Sequence, residues 1–137
     1  MKTALDSNIL SSLWSNEPSA ARVQAELKKA RAQGGLVVCA PVFVELMAHP
    51  LVSSGFVDDF IKETRITVEF VLNEPVWRKA AERYSAYAQR RRHSGGNSPR
   101  RLPADFVIAA HALLHADRLF TLDASRYHRD FPELRLV

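Results

Sequence analysis

The chain has 137 residues, about one domain's worth and enough to bury a hydrophobic core without disulfides. Hydrophobic residues make up 47% and charged residues 25%, a globular balance that excludes disordered, collagen-like and coiled-coil classes. The formal net charge of +4 fits a polyanionic partner and simple solubility equally well.

Thr3 to Leu5 reads as a short strand, and Asp6-Ser7-Asn8 supplies cap-type side chains for a helix through Ile9, Leu10, Leu13 and Trp14. Asn16-Glu17-Pro18 opens a second helix carrying Val23, Leu27 and Ala30 on one face and closing at Gly34-Gly35. Leu36 to Cys39 is a buried strand, and Pro41 fits the first turn of a helix running through Val44, Glu45 and Met47 to a break at Pro50. Another short helix covers Ser53 to Thr64, and Ile66 to Val71 alternates like a strand. Asn73 launches a long helix with Val76, Trp77, Ala80, Ala81, Tyr84 and Ala88 facing inward. A loop follows from Gln89 to Pro103, then a core helix over Ala104 to Ala116 and strands at Arg118 to Thr121 and Leu134 to Val137. Short apolar runs alternating with amphipathic stretches predict a single α/β domain over residues 1–137. The expected architecture is a three-layer α/β/α fold around a central, mainly parallel sheet of about five strands. No apolar run is long enough to span a bilayer and Asp6 follows closely on Met1-Lys2, so neither a membrane span nor a signal peptide is expected. Cys39 is the single cysteine, and its apolar neighbours indicate a reduced, buried thiol in a cytoplasmic protein.

In a parallel sheet every strand ends on the same edge and each following helix begins there, so acids distant in sequence converge. Asp6 ends the first strand, Glu45 lies one turn into the helix after the second, Asp105 opens the core helix, and Asp123 follows the Arg118 to Thr121 strand. Singly, Asp6 is explained as a cap, Asp105 as a first-turn dipole partner and Asp123 as a turn former. Glu45 resists such a reading, because an unpaired carboxylate buried between Val44 and Leu46 would cost several kcal/mol and a cation is the simplest compensation. An all-carboxylate set with no cysteine favours Mg²⁺ or Mn²⁺ over zinc, and such a site suits phosphodiester hydrolysis.

With those four acids set aside as ligands, the remainder of the chain is strongly basic. Arg90, Arg91, Arg92, Arg100 and Arg101 crowd next to the entry of Asp105 into its helix, with no acid between Arg90 and Arg101. That is the footprint expected of a loop contacting a nucleic-acid backbone, set against the alternative of a solvated solubility loop.

The strings Leu5-Asp6-Ser7-Asn8-Ile9-Leu10, Val44-Glu45-Leu46, Ala104-Asp105-Phe106-Val107-Ile108-Ala109-Ala110-His111-Ala112 and Leu119-Phe120-Thr121-Leu122-Asp123, in this order and spacing, resemble the PIN-domain ribonucleases, in particular the VapC-type toxins of toxin-antitoxin pairs. The tail from Thr121 to Tyr127 and from Phe131 to Leu136 is similar to that group as well, so the resemblance covers essentially the whole chain. It implies an α/β/α fold, Mg²⁺- or Mn²⁺-dependent endoribonuclease activity, a homodimer and inhibition by a cognate VapB-type antitoxin. Asp6, Glu45, Asp105 and Asp123 match the family's acidic quartet, and Asn8 and Thr121 match supporting polar positions. Neighbouring readings are a housekeeping PIN nuclease without an antitoxin and a catalytically silent RNA-binding or scaffold module. A Rossmann domain and a P-loop hydrolase fail for want of their glycine-rich strings, and Asn8 stands where a haloacid-dehalogenase-like phosphatase would need a second Asp. His111 and His115, spaced i, i+4, are read as packing or surface residues, and Trp14 and Trp77 on apolar helix faces as core or interface anchors.

Overall fold

The computed structural model describes residues 1–97 and 100–137. Four strands, β1 (Thr3–Leu5), β2 (Leu36–Cys39), β3 (Thr67–Glu69) and β4 (Arg118–Phe120), form one sheet in the order β3-β2-β1-β4. All three pairings are parallel, with Thr3 opposite Leu36 and Arg118, and Val37 opposite Thr67. The chain adds strands on one side of β1 and then crosses to add β4 on the other, so β1 is a topological switch point.

The connections are α1 (Ser7–Trp14), α2 (Ala20–Gln33), α3 (Ala40–Met47), α4 (Ser54–Glu63), α5 (Glu74–His93), α6 (Pro103–His115) and α7 (Ser125–His128). Helix α1 packs on α2 and α3, whereas α5 and α6 pair with each other. Right-handed crossovers place these two groups on opposite faces of the sheet. The strand residues Ala4, Leu5, Val37, Val38, Leu119 and Phe120 are almost fully buried between them. Helix α6 is apolar on nearly every side because its middle is buried, with Phe106 to Ala110 and Ala112 in the core and Leu114 exposed near its end.

Several sequence expectations are corrected. Only four strands form among the described residues: Leu134 to Val137 contributes a single bridge, Leu119 to Leu136, instead of a strand. Phe131 and Leu134 are both buried across a turn closed by Leu134 N–H to Phe131 C=O at 3.1 Å, a spacing that is not strand alternation. Strand β3 stops at Glu69, leaving Phe70 and Val71 exposed. Helix α2 begins at Ala20, after a turn in which Asn16 has φ 49°. It is capped at Gly34, where only glycine fits: a Cβ there would lie 1.8 Å from the Met1 carbonyl oxygen.

Helix α5 runs to His93, so Arg90, Arg91 and Arg92 are its last turn and not part of a loop. Arginine is a good helix former and its charge is favourable at a helix C-terminus. The helix is capped by Ser94 and followed by a turn at Gly95 and Gly96, with φ 69° and 81°. Its buried face runs through Val76, Ala80 and Tyr87, which turns Trp77 and Ala81 to solvent; the Trp77 indole N–H donates to the Leu72 carbonyl at 3.1 Å. Ser98 and Pro99 of the expected basic loop lie outside the described residues.

Cys39 is buried and its thiol is pushed up to about 12 by that burial, consistent with an inert core residue. His111 is buried on α6 with Nε2 3.0 Å from Glu69 Oε2, and His115 Nε2 lies 3.2 Å from Asn73 Oδ1, both packing roles. Among the described residues no helix is long and apolar enough to cross a membrane.

Candidate active site

The common C-terminal edge of the strands carries all four predicted acids. Asp6 is the N-cap of α1, immediately after β1. Glu45 lies in α3, which starts with no intervening loop after β2. Asp105 is the third residue of α6, and Asp123 follows β4 by three positions.

Asp6 is 2% exposed and its carboxylate is held from three sides. The Ser7 backbone N–H donates to Oδ1 at 2.8 Å, while the Thr121 hydroxyl at 2.9 Å and the Tyr127 hydroxyl at 2.7 Å donate to Oδ2. Because Thr121 uses its one hydrogen on Asp6, its oxygen is left to accept, and it does so from Asn8 Nδ2 at 3.4 Å and from the Asp123 backbone N–H at 3.1 Å. Asn8 is oriented in turn by its Oδ1, which accepts from the Leu122 backbone N–H at 3.1 Å. Asn8 and Thr121 thus form a directional relay that positions Asp6 and fixes the turn carrying Asp123. Burial raises the Asp6 carboxyl above the usual carboxylate range despite these donors.

Glu45 is not buried, which removes the desolvation reasoning that singled it out in the sequence: it sits on the exposed side of α3 beside the exposed Val44. Its carboxyl is nonetheless raised, first by partial loss of solvent and then by repulsion from Asp6 and Asp105. Glu45 therefore belongs electrostatically to the cluster. Asp105 Oδ2 accepts the Leu102 backbone N–H at 3.2 Å and so caps its own helix, leaving Oδ1 facing the cluster. Asp123 Oδ1 accepts the Ser125 hydroxyl at 2.8 Å, leaving Oδ2 free of backbone duties.

Two residues of the site carried no role in the sequence analysis, and both lie on α7, a one-turn helix that periodicity did not predict. Tyr127 is buried against Asp6, and burial with that carboxylate keeps its hydroxyl protonated. Arg126 spans two of the acids, with Nε 3.2 Å from Asp123 Oδ2 and Nη1 3.5 Å from Asp105 Oδ1. The signal available was their position shortly after a strand-end acid, in the segment Ala124-Ser125-Arg126-Tyr127.

As they stand, no three Asp, Glu, His or Cys side chains among the described residues are close enough together to hold an ion. The donor chemistry does fit a hard divalent cation: oxygen ligands only, mutual repulsion, and a guanidinium already attracted to the group. Asp6, Glu45, Asp105 and Asp123 are the residues that could hold one.

The predicted basic residues divide. Arg90 is committed to an ion pair with the buried Asp130, which makes it structural. Arg91, Arg92, Arg100 and Arg101, with Tyr84 and Tyr87, line a cavity of about 500 Å³. A smaller one of about 220 Å³, lined by Arg101, Arg126 and Arg129, lies between it and the acids.

The PIN domain family matches residues 3–132, and the chain belongs to that family, whose members are generally nucleases. No curated protein matches it. Among solved structures it is similar to VapBC2 from Rickettsia felis bound to a DNA fragment from their promoter, with TM-score 0.67, 19% identity and 100% of this chain and 98% of that chain covered. It is also similar to VapBC-1 from nontypeable Haemophilus influenzae, with TM-score 0.63, 22% identity and coverage of 100% and 97%. FitAcB from Neisseria gonorrhoeae gives TM-score 0.61, 21% identity and coverage of 98% and 95%. At these identities the likeness speaks to the fold.

Proposed function

We propose that this PIN domain is a Mg²⁺- or Mn²⁺-dependent endoribonuclease acting as the cytoplasmic toxin of a toxin-antitoxin pair, with Asp6, Glu45, Asp105 and Asp123 as its metal-binding and catalytic carboxylates. The observation that carries it is the convergence of four carboxylates from four separate connections on one sheet edge, with Asp6 held by three donors at 2% exposure. Helix caps need no such relay. A bound divalent ion would supply charge neutralisation and polarisation of the phosphate and of an attacking water.

The chain's own residues do the remainder. The Asn8–Thr121 relay and Tyr127 fix Asp6 in one rotamer, and Ser125 and the Leu102 N–H do the same for Asp123 and Asp105. Arg91, Arg92, Arg100 and Arg101 draw the RNA backbone towards the acidic edge, where phosphate attraction to guanidinium is strong and bidentate.

An antitoxin partner, supported by the VapBC and FitAcB complexes among the similar structures, and a homodimer, which rests on the family resemblance alone, complete the reading. A groove of about 620 Å³ between α1, α2 and α4, lined by Leu10, Leu13, Trp14, Leu27, Phe60 and Ile66, suits an amphipathic antitoxin helix. The Trp14 indole N–H beside it is buried without a partner. Val23, on the same helix as Leu27, is in the core and not part of the groove.

The test is expression of the chain alone and then with its upstream neighbouring gene, together with mapping of RNA 5′ ends. Growth arrest and new 5′ ends that disappear in Asp105→Asn, and rescue with copurification on co-expression, are the expected results. Arrest without a rescuing partner would leave a housekeeping nuclease; neither arrest nor cleavage at high protein levels would leave an RNA-binding scaffold.

A further inference from the structure

We propose that Arg126 is a tethered counter-cation of the four-carboxylate site, which competes with a divalent ion for the same carboxylate oxygens. The inference rests on the reading of those carboxylates as a metal site and adds a competitor built into the chain. Its basis is which oxygen atoms are in use. Asp105 gives Oδ2 to the Leu102 N–H and Asp123 gives Oδ1 to the Ser125 hydroxyl. The oxygen each acid has left, Asp105 Oδ1 and Asp123 Oδ2, is the one that faces Arg126, at 3.5 and 3.2 Å. The oxygens free of local bonds are thus the ones that Arg126 faces, and a cation bound through them competes with its guanidinium.

The guanidinium reaches beyond this pair. Its charge also bears on Asp6 and Glu45, so one side chain partly neutralises all four acids. The pairing is also built to yield. The Arg126 side chain is 34% exposed and Asp123 37%, and partly exposed ion pairs are weak enough to be exchanged. Arg126 sits on α7 and also lines the small cavity whose walls include Arg101, Arg129 and Asp130, so open space adjoins the side chain once it leaves the acids. An ion of charge +2 entering as a guanidinium of charge +1 leaves is an exchange that the acids favour electrostatically.

The experiment is calorimetric titration of Mn²⁺ into the wild-type protein, Arg126→Met, Arg126→Lys and Asp105→Asn, with thermal melting in EDTA as a folding control. Arg126→Met should bind Mn²⁺ more tightly than wild type by about threefold to thirtyfold, the range that removal of two partly exposed ion pairs covers. Arg126→Lys, which keeps a charge, should fall between them, and Asp105→Asn should bind more weakly than wild type. In nitrogen-15 spectra the Arg126 Nε–H resonance, assigned by its disappearance in Arg126→Lys, should shift on addition of Mg²⁺. Equal or weaker Mn²⁺ binding by Arg126→Met overturns the inference while leaving the metal site in place. Failure of all four proteins to take up Mn²⁺ overturns the metal-site reading itself and the inference with it.

Discussion

The Tyr127 hydroxyl donates to Asp6 Oδ2 at 2.7 Å, joining residues 121 positions apart in the most buried part of the acidic edge. Tyr127→Phe removes one of three donors from a carboxylate that cannot reach water. A hydrogen bond to a charged group contributes about 1.5–3 kcal/mol, and urea denaturation should show a destabilisation of that size. The same substitution in an Asp6→Asn background should cost clearly less, since the pair is coupled. Equal destabilisation in both backgrounds would mean that the ring's packing, not its hydroxyl, is what matters.

Asp6→Asn and Asp105→Asn keep the side-chain shape and remove a ligand charge. RNA cleavage should fall by roughly a hundredfold or more, as expected when several kcal/mol of charge stabilisation is removed, with circular dichroism unchanged. EDTA should abolish wild-type cleavage, and Mg²⁺ or Mn²⁺ restore it. Full activity of both variants in EDTA would refute the assignment.

Two classes of arginine should separate on titration with salt. Neutralising Arg91, Arg92, Arg100 and Arg101 should weaken RNA binding and flatten its log-log salt dependence, by up to about 0.7 for each phosphate of a single strand that is no longer neutralised. Arg90→Gln should leave that slope alone. It should instead lower stability by about 1–3 kcal/mol, because Asp130 is left buried and unpaired.

His111 gives the fold a pH dependence of its own, on the face of the sheet covered by α6. Burial lowers its imidazole below the ordinary value of 6.5, and the adjacent Glu69 only partly restores it. The unfolded chain therefore binds a proton that the folded chain resists. Stability is fully present above pH 6.5 and should decline progressively as the pH falls below it towards the lowered folded value. His111→Gln, which keeps a donor for Glu69, should show a flatter profile between pH 7 and 5 in chemical denaturation. Parallel profiles would place the pH sensitivity elsewhere.

The sequence carried the positions of Asp6, Glu45, Asp105 and Asp123 at strand ends and helix starts, because a parallel sheet converts chain order into a shared edge. It could not carry the reason for Glu45: flanking Val44 and Leu46 implied burial, yet the helix presents Val44 and Glu45 to solvent. Tyr127 and Arg126 stayed invisible because a helix of one turn has no periodicity to detect. The end of α5 was misplaced because a run of arginines reads as loop by composition, although arginine is at home in a helix's last turn.

The hydrogen bond from Thr121 to Asp6 spans 115 positions, and that from Tyr127 spans 121. During synthesis Asp6 emerges well before Thr121 and Tyr127. Until β4 docks beside β1, Asp6 lacks its two side-chain donors and Asp123 has no place on the edge. A chain in which the segment from Thr121 to Tyr127 has not yet been made therefore carries an unfinished acidic edge, whatever the state of the strands already folded.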